Sequence, residues 1–312
     1  MAKGMRSMRR RRHPILAVLS AALISLSLAA CGGGQGSEGD TEIVLAQQPW
    51  EDLLVENQIA KSVLEEHGYR VTIQDLSVPV AANGMSTGQI DAYLGNWWPS
   101  QQSVFKKHID NGDVEVLDTL VEGVAYEPAV PSFVAEKHGV RSIADLDENR
   151  AAFGGEILGI EPGTPGNQTI QDAIDKDAYG LGDWKLVESS TPAMLSEVQR
   201  KVKNEEPVAF LAWDPHWMNV TWDLVYLEDP ENVWPGAGEI RVAARAGFAD
   251  ENPEAARFLS QMKVDKSTAS EWIYQVSKKD KTPEAVASDW ISKNQDQIDT
   301  WLQGVKSASG SE

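Results

Sequence analysis

Aromatic residues recur beside prolines at four places in this chain. Trp50 stands in Pro49-Trp50-Glu51-Asp52, Trp97 and Trp98 in Asn96-Trp97-Trp98-Pro99, and Tyr126 in Ala125-Tyr126-Glu127-Pro128. Trp213 and Trp217 stand in Trp213-Asp214-Pro215-His216-Trp217. Indole and phenol rings offer negative faces, and several together suit a quaternary ammonium. Such a cation has no N–H to donate, so rings and not hydrogen bonds must hold it, at roughly 0.5–2 kcal/mol per desolvated contact. The competing account is that these rings pack the body, as aromatic side chains commonly do. The chain has eleven tryptophans against six tyrosines and six phenylalanines, so the indoles need some account. Trp272, Trp290 and Trp301 fall in amphipathic helical segments and read as core, and Trp222 and Trp234 are left to the core as well.

Polar groups near these rings could read the rest of a ligand. Asp52, two residues past Trp50, could accept a hydrogen bond from a ligand hydroxyl or could cap the helix that follows. The loop at residues 162–167 opens a helix, so its backbone N–H groups could receive a carboxylate, with Thr164 and Asn167 as further donors. Catalytic chemistry has little to stand on. There is no Gly-x-Ser-x-Gly elbow, and His67, His108, His138 and His216 show no metal-ligand spacing. A secreted, lipid-anchored hydrolase is the rival reading; the expectation is no enzyme, no catalytic residue, no cofactor and no metal.

Alternating strand-like and helix-like segments must position these residues. Residues 42–46, 69–76 and 90–94 read as strands, and residues 57–67 and 80–87 as helices, an order that implies a parallel sheet. A second unit begins near Tyr126. It has strand-like segments at 129–135, 157–160, 185–188 and 208–213, a capped turn at 142–146, and helices at 168–175 and 192–203. Residues 240–244 form a further strand, and helices follow at 253–262, 267–277 and 283–302. Ligands of open α/β sheets bind beyond the carboxyl ends of the strands, where the four aromatic segments are expected.

The amino terminus carries an address. Residues 9–12 are arginines, residues 15–28 are an apolar run too short to span a membrane comfortably, and Leu28-Ala29-Ala30-Cys31 closes it. A Gly- and Ser-rich stretch at 32–39 follows, suited to a flexible tether. Loss of residues 1–30 would remove six positive charges and no negative ones, taking the formal charge from −19 to −25. So acidic a body has no basic surface for nucleic acid or anionic lipid.

These features resemble a known family. Leu-Ala-Ala-Cys resembles the lipobox of bacterial lipoproteins. Pro49-Trp50, Gly95-Asn96-Trp97, Gly159-Ile160-Glu161-Pro162-Gly163, Glu188-Ser189-Ser190 and Phe210-Leu211-Ala212-Trp213-Asp214-Pro215-His216 resemble the extracytoplasmic substrate-binding proteins of ABC importers for glycine betaine and choline. The resemblance implies a two-lobed α/β fold of the periplasmic-binding-protein class, type II-like, each lobe a mixed, mostly parallel sheet flanked by helices. It implies Trp50, Trp97, Tyr126 and Trp213 as walls of an aromatic box and Asp52 as partner of a choline hydroxyl. One departure stands out: where choline-binding members carry asparagine, this chain has Thr164, which leaves glycine betaine, carnitine and proline betaine open. Residues 1–30 are then a lipoprotein signal peptide with lipid on Cys31, and 31–41 the tether. Lobe 1 is 42–123 plus 238–312, and lobe 2 is 124–237. The expected partners are a small quaternary amine, ABC permease and ATPase subunits, and the membrane through its lipid. Nucleic acid is not among them, and the protein is expected to be a monomer on the outer face of the cell membrane.

Overall fold

The computed structural model describes residues 42–308 apart from Ala237; the signal-peptide, Cys31 and tether readings lie outside the described residues. Strand β1 (Glu42–Gln47) buries Ile43, Leu45 and Ala46. Helix α1 (Glu51–Glu66) starts six residues before the apolar spacing suggests. Its first turn carries Glu51 and Asp52, which favour a helix amino terminus, while its buried face includes the polar Asp52, Glu56 and Asn57. An apolar pattern cannot reveal a face that is buried yet polar. Strand β2 (Arg70–Asp75), helix α2 (Val78–Ser86) and strand β3 (Ala92–Trp98) follow. Asn96, Trp97 and Trp98 therefore belong to β3 itself, correcting the reading that placed them in a loop beyond the strand. Helix α3 (Gln102–Asp110) then leads into β4 (Val114–Pro131).

Strand β4 is 18 residues long and covers residues to which the sequence reading assigned no element. It stops at Pro131, where helix α4 (Ser132–His138) begins, so residues 129–135 are strand only in their first part. Ser142 caps the next short turn in a capping box with Asp145, as expected. The short helix α5 (Arg150–Phe153), strand β5 (Glu156–Leu158) and helix α6 (Pro165–Asp175) come next. Helix α6 takes Pro165 into its first turn, where the missing N–H costs nothing, and so begins three residues early. Strand β6 (Lys185–Val187), helix α7 (Thr191–Lys203), strand β7 (Ala209–Asp214), helix α8 (Met218–Trp222) and strand β8 (Leu224–Tyr226) complete this part.

Strand β9 (Gly238–Arg245) returns to the first part, followed by α9 (Phe248–Glu251), α10 (Pro253–Gln261) and α11 (Lys266–Lys279). The terminal helix read as one piece is two, α12 (Pro283–Lys293) and α13 (Gln295–Trp301). Asn294, between them, leaves helical geometry and turns its side chain back to donate to the Trp290 carbonyl at 2.7 Å.

The strands run in the order β2-β1-β3-β9-β4-β7-β5-β6, with β8 paired to β4. The triplets β2-β1-β3 and β6-β5-β7 are parallel, as the alternation of strands and helices implies. The pairings through β9 and β4 that join the triplets are antiparallel. Strand β4 pairs with β9 as far as Val124 and with β7 from Ala125 onward, so one unbroken strand belongs to both halves of the sheet. Three register shifts against β9 bend its first part. Away from this seam, Trp272 meets Trp290 edge-on at 5.3 Å and Trp290 stacks on Trp301 at 5.3 Å, as the core reading of these helices requires.

Candidate functional site

Beside the seam lies a cavity. Trp50, Trp97, Tyr126 and Trp213 all line it, each delivered by a different element. Trp50 occupies the position before the first turn of α1. Trp97 and Trp98 alternate on β3, so only one can face the cavity. Trp97 does, while Trp98 lies under the Arg241 guanidinium, whose carbon is 3.9 Å from the ring centroid. Tyr126 on β4 and Trp213 on β7 are register partners across the antiparallel ladder. Their centroids are 6.4 Å apart at 64°, and Tyr126 lies 5.8 Å from Trp97 at 54°. These angles hold the rings as walls at different orientations and not as a stack.

Trp217 does not reach the cavity. It packs on Trp222 at 5.1 Å and carries the Lys278 ammonium 3.5 Å from its ring centroid. His216 sits between Trp213 and Trp217, 4.9 Å from each. Burial and then Lys278 push its imidazole down to about 3, so it is neutral, and its Nδ1 accepts from the Met218 N–H. Trp222 is buried as expected. Trp234 is buried too, but it stands edge-on behind Tyr126 at 5.8 Å and its Nε1 donates to the Tyr126 carbonyl.

Asp52 lines the cavity and is only 4% exposed. It stands in the first turn of α1, where the backbone N–H groups of Leu53 and of Asp52 itself face its carboxylate. Burial raises its carboxyl to about 6, with neighbouring backbone N–H groups opposing and the Glu51 charge adding. One turn further along, Glu56 is 1% exposed and its Oε1 has no hydrogen-bond partner; burial and then Asp52 raise it well above the usual carboxylate range. Glu51 is raised as well, first by burial. Among the described residues no lysine, arginine or histidine forms an ion pair with Asp52.

Thr164 also lines the cavity; its buried Oγ1 faces the Tyr126 hydroxyl without making a well-aligned hydrogen bond. Asn167 does not line it, and here the expectation is corrected. Its Oδ1 accepts from Ile160 N–H at 3.0 Å, and its Nδ2 donates to the Ile160 and Glu161 carbonyls and to Glu188 at 2.9 Å. The side chain is spent on bracing the loop before α6. The brace needs Gly159, where a Cβ would stand 2.5 Å from Asn167 Oδ1. The start of α6 also offers fewer donors than the sequence suggested. Pro165 has no N–H, and Tyr126 lies so close over Gly166 that a Cβ there would be 2.3 Å from its hydroxyl.

Ser100 and Gln101 line the cavity without having been singled out. Gln101 donates to Tyr93 Oη at 3.2 Å and to the Gly95 carbonyl at 3.0 Å, and accepts from Asn96. Arg241 in turn donates to Asn96 Oδ1 at 2.9 and 3.1 Å. The only sequence signal for them was adjacency to Trp97-Trp98-Pro99.

A cavity walled by indoles and a phenol around an uncompensated carboxylate is suited to a compact organic cation. Residues 41–293 match the family model for the substrate-binding domain of ABC-type glycine betaine transport systems. A glycine betaine/carnitine transport binding protein of Listeria monocytogenes is 36% identical over 158 residues, half of this chain and 52% of that protein. A glycine betaine/proline betaine-binding periplasmic protein of Salmonella typhimurium is 22% identical, over 85% of this chain and 88% of that one. Among solved structures, a choline-binding protein of an ABC transporter in complex with choline superposes with a TM-score of 0.83 at 30% identity. The match covers 86% of this chain and 94% of that one. The lactococcal glycine betaine-binding domain, in its closed form with glycine betaine, gives 0.73 at 29% identity, covering 84% and 99%. The two-lobed architecture of the periplasmic binding proteins is thus that of the present chain. By the match over most of its length, the chain belongs to the substrate-binding domains of ABC-type glycine betaine transport systems.

Proposed function

We propose that this protein captures a quaternary ammonium compound in the cavity between Trp50, Trp97, Tyr126 and Trp213, and prefers choline to glycine betaine. The observation that carries the preference is the buried Asp52 carboxylate, which pairs with no cation among the described residues. Choline brings one net positive charge and a hydroxyl that Asp52 can accept. Glycine betaine brings a carboxylate that would meet Asp52 as a like charge in a poorly hydrated space. Three or four aromatic walls could supply on the order of 2–8 kcal/mol. A micromolar complex needs about 8 kcal/mol, so methyl burial and the contact to Asp52 must add to the rings. Glycine betaine, carnitine and proline betaine remain the alternatives, because Thr164 Oγ1 is an unused polar atom in the wall.

The rest of the proposal follows the family. Residues 42–123 with 238–312 form one lobe and 124–237 the other; the pairings of β4 with β9 and then with β7 support this division. The filled protein delivers its ligand to an ABC permease and ATPase for uptake, acting as a monomer held to the outer face of the membrane by lipid on Cys31. Among the described residues no helix is long and apolar enough to cross a membrane. The relatives from Salmonella typhimurium and Dickeya dadantii are described as periplasmic. Calorimetric titration with choline, glycine betaine, carnitine and proline betaine tests the ligand. Choline should bind most tightly, and a clear preference for glycine betaine, unchanged in Asp52→Asn, would remove Asp52 from the site. Cys31→Ser should release the protein from the membrane fraction with ligand affinity unaltered; persistent membrane association would place the anchor elsewhere.

A further inference from the structure

We infer that Glu161 is a positioning residue for the ligand site, fixing the ring of Trp50 from the opposite side of the cleft. The inference rests on the proposed quaternary-amine site and adds a residue that does not itself line the cavity.

Trp50 is an unusual residue for its place. The position before a helix is normally filled by Ser, Thr, Asp or Asn, whose side chains satisfy the first N–H groups. Trp50 has extended backbone angles there, gives no side-chain cap, and is only partly buried, so the helix does not hold its ring. The one polar atom of the ring, Nε1, is 3.5 Å from Glu161 Oε2. Glu161 is itself held firmly. Thr191 donates its backbone N–H to Glu161 Oε1 at 2.7 Å and its hydroxyl to Oε2 at 2.9 Å, at the first residue of α7. Asn167 and Thr164 fix the Glu161 backbone through its carbonyl, to which Asn167 Nδ2 donates at 3.2 Å and the Thr164 N–H at 3.2 Å. The carboxylate is thus built into the loop before α6 and the start of α7, and the indole that reaches it comes from α1.

Two consequences follow from this arrangement. The ring of Trp50 is held by an acceptor on the far side, so it becomes a fixed wall only when that side is in place. The Glu161 charge also acts across the gap on Glu51. Without a cation between them, these acidic groups oppose the approach of the two sides, and the Trp50 N–H offsets only part of that. A ligand with a positive charge removes the opposition, and a zwitterion removes less of it. Glu161 therefore serves ring placement and discrimination by net charge through the same carboxylate.

A double-mutant cycle in choline affinity and dissociation rate tests this. Trp50→Phe keeps an aromatic wall and removes the N–H, while Glu161→Ala removes the acceptor. Each alone should weaken choline binding by about fivefold, as loss of one modest hydrogen bond would, mostly through faster dissociation. The double variant should be no weaker than either single one by more than about twofold. Glu161→Ala should also narrow the choline to glycine betaine ratio, which a general loosening of the loop would leave alone. Additive losses, or equal losses for both ligands, overturn the inference. Should Glu161→Ala not fold, Thr191→Val, which frees Glu161 Oε2 from its hydroxyl, takes its place in the cycle with the same expected coupling. Trp97→Ala and Trp213→Ala are the controls: full affinity in both would reject the ligand site itself, a failure distinct from additivity at Trp50 and Glu161.

Discussion

Two aromatic groupings in this molecule are alike in composition and opposite in use. Trp272, Trp290 and Trp301 meet each other at 5.3 Å on three carboxy-terminal helices and fill the space between them. Trp50, Trp97, Tyr126 and Trp213 stand around a space instead, with a buried carboxylate at its edge. Ring type and burial do not separate the two, since Trp97 and Trp213 are as hidden as many core residues, at 8% and 7% exposure. The separating feature is what the faces look at. In the first group they look at one another; in the second they line a cavity beside a carboxylate that pairs with no cation among the described residues.

Truncation should break the comparison cleanly. Trp272→Ala should cost about 3–5 kcal/mol of unfolding free energy, with the cavity's ligand affinity intact in whatever fraction remains folded. Denaturant titration beside calorimetry reads both, and a ligand-specific loss would erase the distinction. The reverse holds in sign at Asp52. Burial pushes its carboxyl up to about 6 in the folded protein, from 3.8 for an unperturbed aspartate, so ionising it opposes folding. The penalty is absent below about pH 4, grows between about 4 and 6, and is complete above 6, where it amounts to about 3 kcal/mol. Asp52→Asn should therefore raise the melting temperature of ligand-free protein at pH 7 and leave it unchanged near pH 3.5. A variant destabilised at pH 7 would mean that Asp52 supports the fold.

Smaller effects sharpen the contrast further. Trp97→Ala and Trp213→Ala should each weaken ligand binding at least tenfold, about 1.4 kcal/mol, while the protein stays folded. Near-native affinity in both would return these rings to the core. A bound cation favours the Asp52 carboxylate, so choline affinity should rise with pH through about 6 and be roughly tenfold weaker at pH 5 than at pH 7. The Asn variant should show a flat profile, and a flat profile in wild type would detach Asp52 from the ligand.

The sequence made the four walls legible because aromatic residues beside prolines at strand ends are conspicuous. It also made the parallel triplets legible through the alternation of strand and helix periods. Other parts were hidden for physical reasons. The first turns of α1 bury Asp52, Glu56 and Asn57, and a search for apolar spacing passes over a buried polar face. The first part of β4 mixes buried Val114 and Val121 with exposed Asp118 and Glu122, and its register shifts break the two-residue period. The break between α12 and α13 has no Gly or Pro to announce it, only Asn294. Asn167 read as a ligand donor because its type and place fitted, whereas four hydrogen bonds within the loop use up its amide.

The unbroken course of β4 has a kinematic consequence. Its ladder to β9 ends at Val124 and its ladder to β7 begins at Ala125, so a rotation of one part of the sheet against the other would bend the chain at this joint. Tyr126 lies one residue past that joint. Trp213, its register partner, would travel with it, while Trp50 and Trp97 belong to the part before the joint. In such a rotation the phenol would serve as the fulcrum for the indoles.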